Sequence, residues 1–313
     1  MSNYLPKFIV QYKSEIENSL FENLPLSQQR FAARLNGAME YAVFPGGKRW
    51  RPVLTLLSGI LAGAQVKNLF PAACAIEYLH TSSMILDDLP SMDDADMRRG
   101  KLALHLAYDE STALLAALAL MNHSYALLAQ ACTKSGNDAA ASQLISLAAD
   151  CIGADGMIGG QVIDLELRGT CLGMETLVSR NLKTTALMRL MMTSGAISAG
   201  ATEADIQALA KYGEALGSAY QICDDLLDEI GDPGIIGKAV KQDRRHLRPS
   251  FVSEYGIVGA QKMAQEIIED GVAALRSQFG SCLEVHALSE AACMIVDQKA
   301  DVKRSLQEVA VAS

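Results

Sequence analysis

No proline interrupts the chain between Pro90 and Pro233. Proline ends helices because it lacks the N–H donor and its ring clashes with the preceding turn. The proline-free stretch is rich in Ala, Leu and Met, all strong helix formers. Apolar residues recur in it at helical spacing, as in Leu114, Leu115, Leu118 and in Leu187, Leu190, Met191. Alternating β-branched runs beside Asn-Gly or Asp-Gly turns are nearly absent. The other prolines (6, 25, 45, 52, 71 and 249) mark breaks between shorter segments, and turns are expected at Lys134–Asp138 and Thr170–Gly173. There is no internal repeat and no low-complexity linker. At 313 residues the chain is near the upper limit for one continuous core. The expected fold is all-α: a single-domain bundle of many helices around a central cavity, spanning 1–313.

Against that apolar background two acidic clusters stand out, Asp87-Asp88-Leu-Pro-Ser-Met-Asp93-Asp94 and Asp224-Asp225-Leu-Leu-Asp228. Residues 74–88 read as a helix ending just before Pro90, and 212–230 as a second helix. On a helix Asp224 and Asp228 share a face at i, i+4, with Asp225 about 100° round. Two unit charges about 5 Å apart repel by roughly 3 kcal/mol at an effective dielectric near 20. Six such groups at one mouth therefore call for a cation. Oxygen ligands with room left for phosphate suit Mg²⁺. A lone acidic run is ordinarily a solvated helix face or a cap. Here the second cluster is flanked by Ala219, Tyr220, Ile222, Cys223, Leu226 and Leu227, so it projects from a helix that is otherwise apolar. The first is followed by Arg98-Arg99-Gly100, a pair suited to diphosphate oxygens. A further basic group, Gly46-Gly47-Lys48-Arg49-Trp50-Arg51-Pro52, opens a helix, where N–H groups also favour anions.

A formal net charge of −9 argues against a nucleic-acid surface and against acidic lipid, but leaves room for local phosphate sites. Seven scattered cysteines without a C-x-x-C pair are neither a zinc pattern nor a disulfide framework. They are expected to be small buried apolar residues in a reducing compartment. The first residues lack a signal-peptide core and the last lack a lipidation box. The longest apolar runs, 52–66 and 113–121, fall short of the roughly 18 residues of a membrane helix. A cytoplasmic protein without a membrane span is expected.

The ordered set Gly46-Gly47-Lys48-Arg49-x-Arg51-Pro52, His80, Asp87-Asp88-x₄-Asp93, Arg98-Arg99-Gly100, Gly160-Gln161-x-x-Asp164, Lys183-Thr184 and Gln221-x-x-Asp224-Asp225-x-x-Asp228 resembles the trans-isoprenyl diphosphate synthases. The match runs from about residue 44 to 250, and among such enzymes it is most like the bacterial geranylgeranyl diphosphate synthases. The resemblance implies the isoprenoid-synthase type of helical fold and head-to-tail prenyl transfer. An allylic diphosphate (dimethylallyl, geranyl or farnesyl) ionises, the double bond of isopentenyl diphosphate attacks the carbocation, and a proton leaves. It implies that Asp87, Asp88, Asp93, Asp224, Asp225 and Asp228 bind Mg²⁺, three ions per site, directly or through water. Arg98, Lys183 and Lys238 match positions that hold the allylic diphosphate, and Lys48, Arg51, His80 and Arg99 match the isopentenyl diphosphate pocket. Gln221 and the helix around Lys183-Thr184 supply weak dipoles toward the carbocation. Gln161 and Asp164 support them, or else form a polar pair bridging helices, and His80 could equally be an ordinary helix-surface histidine. The resemblance further implies a homodimer.

Product length is expected to depend on what fills the tunnel beneath the first cluster. Five residues before Asp87 stands Ser82, with Ser83 beside it, where bacterial farnesyl diphosphate synthases tend to place an aromatic ring. The first expectation is geranylgeranyl diphosphate and the second farnesyl diphosphate, with Met84 and Leu79 as other plugs. The chain departs from the family pattern after the second cluster, where Arg248-Pro249-Ser250 replaces a Lys-(Ser/Pro)-Thr segment. Two rival readings are a class I terpene cyclase, which normally lacks the second Asp-Asp-x-x-Asp, and a silent regulatory subunit, which typically loses one aspartate motif.

Overall fold

The computed structural model describes residues 3–166, 177, 181–230 and 250–297, and helices make up nearly all of them. In chain order they are α1 (Tyr4–Glu22), a 3₁₀ turn (Arg30–Ala32), α2 (Ala33–Val43), α3 (Trp50–Leu61), α4 (Val66–Asp87), α5 (Leu104–Ala107), α6 (Glu110–Lys134), α7 (Ala140–Ile152), α8 (Met157–Glu166), α9 (Leu182–Ala199), α10 (Glu203–Ile230), α11 (Phe251–Phe279) and α12 (Leu283–Asp297). The all-α expectation holds. One small exception is the antiparallel pair β1 (Met97–Arg98) and β2 (Lys101–Leu102), which no strand pattern announced. Its turn residues Arg99 (φ 52°) and Gly100 (φ 75°) both have left-handed backbones, as a two-residue hairpin requires. Gly100 was the available signal.

The chain divides into two compact units, each described by itself: Pro6–Ala148 with Met191–Thr202, and Met1–Leu5 with Ala149–Leu190 and Glu203–Ser313.

In the first unit α4 packs against α2, α3 and α6. It is buried on all sides for most of its length, from Leu69 to Ile85, as a helix apolar all round must be. The breaks expected at proline fail at Pro71, which lies inside α4. It stands only five residues past the first helical position and is itself buried, so one turn loses a hydrogen bond while packing holds the helix. Gly59 of α3 lets Leu69 approach to where a Cβ would meet its methyl at 2.5 Å. The Lys134–Asp138 turn falls between α6 and α7 as expected, whereas Thr170–Gly173 lies outside the described residues. Asp109 caps α6 by accepting from the Thr112 amide at 2.6 Å.

α6 corrects the expectation about apolar runs. It has 25 residues and is long and apolar enough to cross a membrane, because Ser111, Thr112, Asn122, His123 and Ser124 are carried within one unbroken helix. Its inner side faces α4, where Ser124 donates to the Ala75 carbonyl, and Leu114, Leu115 and Leu118 are exposed.

In the second unit α10 and α11 form the main pair, with α12 against both. Close approach depends on small residues. A Cβ on Gly271 would stand 2.6 Å from that of Ala215, and one on Gly217 would stand 2.6 Å from Thr185 Cα of α9. Tyr212 is wholly buried and donates its hydroxyl proton to the Leu288 carbonyl at 2.5 Å. Cys74, Cys132, Cys151 and Cys223 are buried as expected, but Cys282 is only partly covered and Cys293 is exposed on the outer side of α12. Cys171 lies outside the described residues.

Candidate active site

In the first unit the site is built at the C-terminal end of α4. Asp87 is its last residue and Asp88 its C-cap, and beyond them the chain folds back on the helix end. The Asp93 amide donates to the Asp87 carbonyl at 2.9 Å, and the Ala95 amide to that of Asp88 at 3.2 Å. Asp93 is thereby brought back beside Asp87. The hairpin then lays Arg98 on Asp88. Its Nε lies 3.0 Å from both carboxylate oxygens, and Nη2 bonds Oδ1 as well. Asp88 is 2 % exposed. Burial opposes the charge on Arg98, yet the Asp88 bond and the charges of Asp88, Asp87 and Asp93 hold its pKa above the ordinary value.

Two helical turns earlier on α4, His80 Nε2 lies 3.1 Å from Arg51 Nη1, in the first turn of α3. A guanidinium only donates, so Nε2 is the acceptor and the ring is neutral, protonated at Nδ1. Burial first, then the charges of Arg51, Arg99, Arg98 and Arg49, push the His80 pKa well below its ordinary value. Arg99 is pushed down too, by burial and by Arg49, Arg51 and Arg98, with Glu77 opposing. A cationic patch with a neutral histidine in it suits a multiply charged anion. Lys48 is exposed on the loop leading into α3. A small cavity of about 40 Å³ lies behind Asp88, Arg98 and Arg99 and reaches Thr81 and Met84 of α4.

In the second unit Lys183 starts α9. Its Nζ donates to Asp164 Oδ2 at 3.0 Å and to Gln161 Oε1 at 3.3 Å, both on α8. Asp164 is 2 % exposed, so the lysine neutralises a buried carboxylate. A Cβ on Gly160 would stand 2.3 Å from the Lys183 amide nitrogen, which explains the glycine before Gln161. A second chain of contacts runs from Thr184 Oγ1 to Gln221 Oε1 (3.4 Å), from Gln221 Nε2 to Asp225 Oδ1 (3.1 Å), and from the Phe251 amide to Asp225 Oδ2 (2.9 Å). Asp225 thus spans α10 and the start of α11, while Asp228 is also buried and Asp224 partly covered.

The sequence candidates therefore assemble within each unit. Asp87, Asp88, Asp93 and Arg98 come together, as do Arg51, His80 and Arg99, and as do Lys183, Thr184, Gln221 and Asp225. Ser82 is fully buried in α4, and Ser83 bonds the His80 carbonyl at 2.9 Å. Lys238, Arg248 and Pro249 lie outside the described residues, while Ser250 caps α11 by accepting from the Ser253 amide at 3.1 Å. Among the described residues no three His, Cys, Asp or Glu side chains are close enough to cage an ion by themselves. Sequence reasoning missed two groups. Lys101 fastens the hairpin to α2 through the Tyr41 and Phe44 carbonyls (2.9 and 2.8 Å), and Arg49 turns inward to Glu17 and Glu77. Gly46, three residues before Arg49, was the signal for the second.

An all-α chain with two aspartate clusters, the first of them beside its own arginines, is the outline of an enzyme acting on diphosphates. Comparison with known proteins narrows it. The family model for polyprenyl synthetases matches residues 32–281. A geranylgeranyl diphosphate synthase of Cyanophora paradoxa is 34 % identical, over 84 % of this chain and 87 % of that protein. A farnesyl diphosphate synthase of Escherichia coli is also 34 % identical, over 89 % of this chain and 91 % of its own. The crystal structure of an FPP/GFPP synthase from Zymomonas mobilis superposes with a TM-score of 0.80 at 30 % identity, covering 95 % of this chain and all (100 %) of that one. The chain belongs to the polyprenyl synthetase family and is a trans-prenyltransferase.

Proposed function

We propose that the protein condenses isopentenyl diphosphate with allylic diphosphates to make geranylgeranyl diphosphate, with Mg²⁺ as its metal. The observation that carries the diphosphate reading is the patch at the end of α4, where the Asp88–Arg98 pair stands beside Arg51, Arg99 and a neutral His80.

The donor set fits Mg²⁺ that arrives with substrate. Magnesium is usually bound through one or two carboxylates plus phosphate oxygens, not by an all-protein cage, and no such cage exists among the described residues. Asp87, Asp88, Asp93, Asp224, Asp225 and Asp228 would hold it, directly or through water, with three ions per site as the family resemblance implies. Bound there, the metal would act as a Lewis acid that neutralises charge developing on the leaving diphosphate. The chain's own groups do the rest. Arg98 and Lys183 bind the allylic diphosphate, with Lys238 beyond the described residues. Lys48, Arg51, His80 and Arg99 bind isopentenyl diphosphate. His80, neutral and fixed by Arg51, donates from Nδ1 without adding a charge that burial would oppose. Gln221, oriented by Asp225 and Thr184, offers a carbonyl dipole to the allylic carbocation and no nucleophile to trap it. The departing diphosphate takes the proton.

Product length rests on Ser82, a small residue wholly inside α4, with no ring to close the space below the cluster. Farnesyl diphosphate is the second reading, since relatives named for that product match this chain as well, one of them at 39 % identity. Purified protein with Mg²⁺, isopentenyl diphosphate and five-, ten- or fifteen-carbon primers, its products sized by mass spectrometry, tests both. A twenty-carbon product supports the proposal. A fifteen-carbon stop moves the limit to other residues, Met84 first, and no elongation from any primer overturns the activity.

The exposed Leu114, Leu115 and Leu118 on α6, with Leu102 and Leu106 nearby in sequence, supply an apolar face for a second copy of the chain. We propose a homodimer buried on α6. A mass of 33.5 kDa by light scattering at micromolar concentration would leave that face without its proposed partner.

A further inference from the structure

The loop that carries Lys48 and leads into Arg51, in the first turn of α3, is held from inside by Arg49. This residue is 2 % exposed, although it sits between two other basic residues, Lys48 and Arg51. Its backbone is left-handed (φ 53°, ψ 27°), a conformation disfavoured for a non-glycine residue. That twist turns the side chain inward, while Lys48 before it stays exposed and Arg51 after it reaches His80. Inside, the guanidinium is gripped on several edges. Nε and Nη2 donate to the two oxygens of Glu17 on α1 (2.9 and 3.0 Å), Nη1 donates to Glu77 on α4 (2.5 Å), and Nη2 also donates to the Val43 carbonyl (2.8 Å). The Phe44 ring lies 5.6 Å from its Cζ.

Gly46 fits the same arrangement. A Cβ there would fall 1.8 Å from Arg49 Cζ and about 2 Å from both terminal nitrogens (2.1 and 2.2 Å), so the loop closes directly over the guanidinium. At Gly47 the nearest atom to a Cβ would be Arg99 Nη2 at 3.7 Å, an ordinary contact. The first glycine is therefore required by the buried arginine, and the second is not. One cation with two carboxylates also leaves a net negative charge under the patch, and Glu77 supports the charge on Arg99. A lysine could not replace this, because it offers a point charge in place of a planar fork.

We propose that Arg49 is a positioning residue for isopentenyl diphosphate. Anchored on Glu17 and Glu77, it holds the Gly46–Arg49 loop and the first turn of α3 in the conformation that presents Lys48 and Arg51 to the diphosphate. The inference rests on the assignment of Lys48, Arg51, His80 and Arg99 to that substrate.

The test is steady-state kinetics with each substrate varied in turn. Breaking a buried pair from one side leaves an unpaired charge and risks the fold, whereas removing all of its charges together is often tolerated. The principal variant is therefore Arg49→Met with Glu17→Gln and Glu77→Gln, paired with Gly46→Ala, and circular dichroism establishes that each is folded. The expected result is a rise in KM for isopentenyl diphosphate of about tenfold or more, with KM for geranyl diphosphate and kcat within about twofold of the parent. Gly47→Ala should raise the same KM far less than Gly46→Ala. Folded variants with an unchanged KM for isopentenyl diphosphate, or with both substrates weakened equally, would overturn the positioning role. Arg51→Ala separates the underlying assignment. If it leaves the isopentenyl diphosphate KM unchanged, the assignment of the pocket fails, whatever Arg49 does.

Discussion

Replacing Asp225 by alanine should destabilise the protein before any metal or substrate is added. Its two oxygens accept from Gln221 Nε2 at 3.1 Å and from the Phe251 amide at 2.9 Å, and the residue is 2 % exposed. Alanine supplies neither acceptor, so two buried donors lose their carboxylate. At about 1–3 kcal/mol each, less the relief from no longer burying a charge, the expected loss is about 3 kcal/mol. Asp225→Asn is the instructive contrast. Its oxygen can keep the Phe251 amide, and its NH₂ is satisfied if the Gln221 amide turns over to present Oε1. Thr184 Oγ1 then accepts from Gln221 Nε2 instead of donating. The asparagine variant should lose only about 1 kcal/mol, yet carry a reversed Gln221 dipole. Urea denaturation in EDTA gives the stabilities, and hydrogen exchange at the Phe251 amide reports the start of α11. Exchange should quicken in the alanine variant and stay near parental in the asparagine variant. Equal stability loss in both variants, or none in the alanine variant, would refute the network.

His80 makes stability fall on the acid side. Its folded pKa lies well below 6.5, so the unfolded chain binds the extra proton first. The contribution is complete above pH 6.5 and is lost by about 1.4 kcal/mol per pH unit as pH falls, until the folded value is reached. His80→Gln should flatten that slope in denaturation midpoints between about pH 6.5 and 5, and an unaltered slope would count against the neutral ring. Among the described cysteines, Cys293 should react first with a thiol reagent, while Cys74 and Cys151, whose pKa values burial pushes up to about 12 and about 11, stay unmodified until the protein unfolds. Prompt labelling of Cys74 in peptide mapping would contradict its burial. Arg98→Gln should strengthen Mn²⁺ binding in the absence of diphosphate by about tenfold, because Asp88 loses its cationic partner. Unchanged affinity in an electron-paramagnetic titration would show that the pair does not compete with metal.

What was legible in the sequence follows from how local the cause is. The helices under both aspartate clusters are set by composition and period, so α4 and α10 appear where expected, although each begins about eight residues earlier than the stretch first read. Clusters joined by neighbouring residues, such as Asp88 with Arg98, were within reach of spacing alone. Contacts between distant segments were not. Glu17 and Glu77 look like ordinary helix carboxylates in the sequence, and only packing brings both to Arg49. Pro71 misled for the same reason, because a rule about isolated helices gave way to burial. The hairpin was hidden because two residues per strand are too few to show alternation.

Charge repulsion alone calls for a metal wherever carboxylates gather, yet each unit brings partners from the chain itself. Asp88 has the Arg98 fork, Asp164 has Lys183, and Asp225 has an amide side chain and a helix-starting N–H. An N–H and an amide neutralise no full charge, but they replace the water that a buried carboxylate loses. Those three residues are each 2 % exposed, while Asp87, Asp93 and Asp224 keep more contact with solvent. The division follows from cost: the most deeply buried acid can least wait for an ion, so the chain supplies its partner during folding. Metal and diphosphate can then come and go without unfolding the protein at each turnover, which a catalyst releasing diphosphate after every bond requires. The same logic makes Arg98 the residue to watch, since it serves Asp88 before the diphosphate arrives and is assigned to the diphosphate afterwards.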